Sequence, residues 1–112
     1  MLRSLTDNIK NHVAIVSAGA LHPLVALVHG GNPVARGQAA WTLGSLARMN
    51  ANNQLAIVSA GAIDPLVVLV RSGSAEAQAH AAWTLGNLAH TSAENQVAIV
   101  SAGAIEPLVA LM

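Results

Sequence analysis

The string AIVSAGA occurs three times, at Ala14–Ala20, Ala56–Ala62 and Ala98–Ala104, and each copy follows the last by 42 residues. AAWTLG occurs twice at the same step, at Ala39–Gly44 and Ala81–Gly86, and Pro23, Pro65 and Pro107 keep it as well. A fixed step without gaps means one structural unit made repeatedly. Such units stack, because each leaves an apolar face that only its neighbour can cover. The chain then divides into repeat 1 (residues 11–52), repeat 2 (53–94) and part of a third (95–112), with 1–10 as the remnant of a preceding unit's last helix. The whole of 1–112 is one domain.

The middle copy shows what a unit contains. Asn53–Ser59 reads as a helix of two turns at most, and Gly61 supplies a sharp corner, since only glycine enters the left-handed region cheaply. Asp64-Pro65 reads as the cap and first position of a second helix, which stops near Ser72-Gly73. Ser74 then caps a third helix with Glu76 in its first turn, running to about His90. In the first copy Asn32-Pro33 opens the corresponding helix. Short apolar runs such as PLVVLV are ambiguous by periodicity alone. The corner glycine, the X-Pro starts and the long Ala-rich neighbour decide for helix. Three helices in 42 residues suit an α-solenoid rather than a propeller blade.

On a wheel of about 100° per residue, Gln38, Trp41, Ser45 and Arg48 form one stripe of the first third helix. His80, Trp83, Asn87 and His90 form the same stripe in the second. Leu43, Leu46 and Ala39, and in the second copy Leu85, Leu88 and Ala79, are expected on the opposite side. Each tryptophan therefore sits on the polar stripe. Two roles follow: packing against the adjacent repeat with the indole N–H paired, or projecting from a shared binding surface, where exposed Trp flanked by polar groups makes hot spots.

The segment NQLAIVSAGAIDPLVVLVRSGSAEAQAHAAWTLGNLA resembles the armadillo repeat along its full length. Its most specific parts are the glycine between the first two helices and the Trp-x-x-x-Asn of the third. HEAT repeats are the second choice, but they usually have two helices and lack that signature. The resemblance implies an all-α, right-handed α-solenoid of three-helix repeats and a non-enzymatic protein-interaction scaffold. It also implies a groove along the third helices that holds an extended peptide. There the Asn amide, with both donors and acceptors, pairs with peptide backbone, and the Trp faces flank peptide side chains. By resemblance Trp83 and Asn87 carry these roles, with Trp41 matching in the first copy. Three departures narrow the expectation. Ser45 replaces the first Asn, Gln38 and His80 stand where acids would select basic peptides, and Asp64 and Glu106 lie at second-helix starts, outside the groove.

The chain also reads as uncapped. Ile105, Leu108, Val109, Leu111 and Met112 are a raw apolar end, and Leu2-Arg3-Ser4-Leu5 echoes Leu43-Gly44-Ser45-Leu46 at the other. Leaving such side chains in water forgoes about 1.5–3 kcal/mol each. The chain is therefore expected to be a segment of a longer array, or a minimal version that self-associates through Leu2, Leu5 and the apolar end, most simply as a dimer.

Other chemistry is set aside on composition. With 54% hydrophobic, 9% charged residues and zero net charge, scattered Arg3, Lys10, Arg36, Arg48 and Arg71 make no phosphate-binding cluster, so nucleic acid is not expected as a partner. No apolar run reaches membrane-spanning length and no signal peptide precedes the repeats, which points to cytoplasm or nucleus. There is no cysteine. His12, His22, His29, His80 and His90 lack metal-ligand spacing, so no metal or other cofactor is expected. Ser17, Ser59 and Ser101 recur without a partner His or acid at fixed offset, and read as helix-end residues.

Overall fold

The computed structural model of the protein describes residues 19–48, 50–90 and 92–111. Among them every regular element is a helix. Helices α1 (Leu21–Gly30) and α2 (Pro33–Ala47) are the second and third helices of repeat 1. Helices α3 (Ala51–Ser59), α4 (Ile63–Ser72) and α5 (Ala75–Ala89) make up repeat 2. Helices α6 (Ala93–Ser101) and α7 (Ile105–Ala110) begin repeat 3. The first helix of repeat 1, with all of 1–10, lies outside the described residues.

The turn chemistry behaves as the sequence predicts at the corners and at the third helices. Gly61 has φ of 85°, and its counterparts Gly19 and Gly103 have 79° and 82°, so the recurring SAG marks one left-handed corner per repeat. The Asn32 side chain accepts from Ala35 N at 2.9 Å, and the Ser74 hydroxyl accepts from Ala77 N at 3.2 Å. Each satisfies a donor that the helix start leaves unpaired.

The second helices differ from expectation. α4 starts at Ile63, before Asp64-Pro65, and its N-cap is Ala62, with no side-chain cap. Ala62 and Ile63 are both buried in the core, so packing sets the start and Asp64 is left exposed in the first turn. Pro65 is tolerated at the third helical position because that N–H has no intrahelical acceptor.

Aliphatic residues from every layer form one core: Val28 of α1, Leu43 and Leu46 of α2, Ile57 of α3, Leu66, Leu69 and Val70 of α4, and Leu85 and Leu88 of α5. The third helices α2 and α5 lie side by side and make the largest contact between elements. Ala79 departs from its predicted side and is exposed. Four residues before Trp83 is one turn plus about 40°, which puts it near the Trp stripe. Ala81, two residues before Trp83, takes the buried place that Ala39 takes in repeat 1.

A side-chain ladder that the sequence reading did not interpret ties each repeat to the next. Asn53 Nδ2 donates to Leu46 O at 2.8 Å and Gln54 Nε2 to Ala47 O at 3.0 Å. One repeat on, Asn95 Nδ2 donates to Leu88 O at 2.8 Å and Gln96 Nε2 to Ala89 O at 2.9 Å. These carbonyls are among the last of α2 and α5, which have no intrahelical donors. The recurring Asn-Gln at 53–54 and 95–96 is thus a C-terminal cap supplied by the following helix.

Candidate functional site

The predicted stripe assembles on the face of α2 and α5, but its members have different fates. Gln38, Arg48 and His90 are exposed, and Trp41, His80, Trp83 and Asn87 are half-buried. Ser45 is buried and drops out of the face. His80 Nε2 stands 3.4 Å from Glu76 Oε1, one turn back on α5, so this end of the stripe is partly engaged by a neighbour on its own helix.

The tryptophans are half-buried and pack on each other. Their rings stack on each other with centroids 6.4 Å apart and planes inclined by 22°. This is ordinary aromatic-pair geometry. An alkyl stem held between two ring faces would need planes about 7–8 Å apart, twice a carbon contact distance. The slot between the rings is therefore closed, and only the outer surface of the pair can meet a ligand. Trp83 also packs down on the preceding repeat. A Cβ placed on Gly44 would come within 2.5 Å of Trp83 Cζ3 and of Thr84 Oγ1. Glycine at 44 is what lets the Trp83 ring and Thr84 lie against α2.

Polar groups complete this contact. Thr84 Oγ1 lies 2.6 Å from Ala40 O and 2.9 Å from His80 O in its own helix, so its one hydrogen is shared between two acceptors. Asn87 Nδ2 donates to Gly44 O at 3.1 Å. The residue expected by resemblance to hold peptide backbone thus spends one amide hydrogen on the solenoid. Its second hydrogen and its Oδ1 have no partner among the described residues.

The far side of α5 contrasts with this. Gly86 is the counterpart of Gly44, yet a Cβ there meets nothing within 4 Å. Of the predicted self-association residues, Ile105, Val109 and Leu111 are 56%, 60% and 41% exposed, while Leu108 is half-buried against the core. Leu2, Leu5 and Met112 lie outside the described residues. Among the described residues no group of three or more His, Cys, Asp or Glu converges, and no single helix is long and apolar enough to cross a membrane.

Three-helix units with a glycine corner, stacked through their third helices, define a helical-repeat binding scaffold. The armadillo/beta-catenin-like repeat model matches residues 8–48 and 50–90, and the chain belongs to that family. In fold it is similar to a designed armadillo repeat protein solved in complex with the peptide (KR)4, with a TM-score of 0.88 and 32% identity. That match covers 98% of this chain and 48% of the other, so the chain spans about half the length of its designed neighbour. Comparison with curated proteins finds no match.

Proposed function

We propose that the chain is an interaction scaffold whose principal partner is a second copy of itself, met through the apolar end of the stack. The observation that carries this is the exposure of Ile105, Val109 and Leu111. Covering such side chains is worth about 1.5–3 kcal/mol each on full burial. Three of them, already partly covered, still supply several kcal/mol toward the cost of association. Light scattering of the 112-residue chain at micromolar concentration tests this. A mass above the monomer is expected, and a single clean monomer mass would refute it.

A second reading, the holding of an extended peptide along the third helices, is favoured by the unspent hydrogen-bonding capacity of Asn87 and by the neighbour's peptide complex. With Ser45 buried and the ring slot closed, few rungs are available and weak affinity is expected. Trp83→Ala should abolish capture of extended peptides and leave oligomer size unchanged. Peptide capture that survives this substitution would remove the groove reading.

A further inference from the structure

We infer that the face carrying the tryptophan pair selects extended peptides that are acidic, with carboxylates set against Arg48 and His90. This rests on the peptide-holding reading above and adds which peptide that face takes. The charge choice is opposite to that of the peptide (KR)4 in the designed neighbour's complex.

The charges of the described residues are sorted by face. Glu76 is the one acid in α2 and α5, and its Oε1 is engaged at 3.4 Å by His80 Nε2. Asp64, Glu94 and Glu106 lie in the first turns of α4, α6 and α7, none of which is a third helix. The arginines are unequal too. Arg36 Nε donates to Val28 O at 3.0 Å and Arg71 Nη2 to Gly103 O at 3.3 Å, so both guanidinium groups are pinned to backbone. Arg48, at the C-terminal end of α2, is exposed, and its guanidinium has no hydrogen bond or ion pair among the described residues. A guanidinium keeps its charge at every accessible pH and offers five donors in a fixed fork.

The face has two unlike borders. α2 and α5 lie alongside each other in register, with Trp83 on Trp41, Thr84 on Ala40 and Asn87 on Gly44. The same register puts Arg48 and His90 at equivalent positions at the C-terminal ends of adjacent helices, and Gln38 and His80 at equivalent positions toward the N-terminal ends. One border carries a full positive charge and an imidazole, while the other carries a neutral amide and a histidine beside Glu76. Neither form of the His90 ring is negative, and both offer an N–H donor.

An extended peptide crossing α2 and α5 rises about 3.2–3.4 Å per residue and turns alternate side chains to one side. Two residues then span about 6.4–6.8 Å, which matches the 6.4 Å between the indole centroids. Every second side chain therefore keeps step with successive third helices. Carboxylates at alternate positions meet first Arg48, which can grip one with two parallel bonds, and then His90. Lysine or arginine at those positions would face Arg48 with no acid to receive it, a like-charge contact that selects against basic peptides.

Anisotropy of end-labelled peptides titrated with the 112-residue chain tests this. Three peptides of equal length are compared: Glu alternating with Ser, Lys alternating with Ser, and Gly alternating with Ser. The Glu peptide is expected to bind about fivefold tighter than the neutral one at low salt, the upper worth of one exposed ion pair, and to lose that margin at high salt. Arg48→Gln should remove most of the margin and leave the neutral peptide's affinity unchanged. Arg71→Gln, the same charge change made on α4, should leave the margin in place. Both arginines are exposed, and unchanged helical circular dichroism confirms that the variants fold. A Glu peptide that binds no tighter than the neutral or the Lys peptide, or a margin equally sensitive to Arg71, overturns this inference and leaves the holding of peptides standing. Capture of none of the three overturns both.

Discussion

AAWTLG occurs twice in this chain, and its two copies end in opposite surroundings. In α2 the glycine of that string is roofed by Trp83 and Thr84, while in α5 the same glycine faces empty space. Identical local sequence therefore makes a tight joint in one place and an unoccupied bed in the other. What differs is the neighbour, and in a solenoid the neighbour sets most of what a residue is worth.

The largest effect should come from filling the occupied bed. Gly44→Val forces three carbons into Trp83 and Thr84. It should cost about 3 kcal/mol, the upper range for overpacking, while Gly86→Val should leave urea stability within about 0.5 kcal/mol. Equal effects at the two sites would dissolve the comparison.

Next in size is the ladder of caps. Asn53→Ala strands the buried Leu46 carbonyl and should cost about 1–3 kcal/mol. Gln96→Ala removes an exposed bond to Ala89 O, whose carbonyl water can satisfy, and should cost under about 0.5 kcal/mol in the same denaturation measurement. Thr84→Val keeps the shape and removes the hydroxyl shared between Ala40 O and His80 O. A loss of about 1 kcal/mol is expected; no loss would mean that packing alone holds the third helices together.

The smallest effect has the opposite sign. Gly86→Ala sits mid-helix with room for its methyl. It should raise thermal stability by about 0.5–1 kcal/mol through lower unfolded-chain entropy and better helix propensity. The same change at Gly44 should lower it.

The fold class was legible in the sequence, because the 42-residue step, the corner glycine and the third-helix caps are each local chemistry repeated. The candidate site was legible only as a stripe. A helical wheel says which side of one helix a residue occupies, and it placed Trp41 and Trp83 together. It cannot say how far away the next helix lies. That distance closes the slot between the rings and diverts Asn87 to Gly44 O. The Asn-Gln caps carried a signal, since they recur at 53–54 and 95–96. Their meaning depends on carbonyls at the end of another helix, which no pattern within one helix reveals. The α4 start was misplaced because Asp-Pro is a strong local cue, while the burial of Ile63 is a tertiary one.

The two stacked tryptophans have a consequence beyond binding. They are the chain's whole complement of aromatic residues, with no tyrosine and no phenylalanine. At 6.4 Å their excited states couple, so the near-ultraviolet dichroism of the protein is in effect a signal from one joint. Because one indole belongs to each repeat, that signal reports whether repeats 1 and 2 are docked, and helical content measured in the far ultraviolet reports each repeat's own folding. A stack that loosens between its units while every helix survives would lose the first signal and keep the second, so the chain carries its own optical gauge of cohesion.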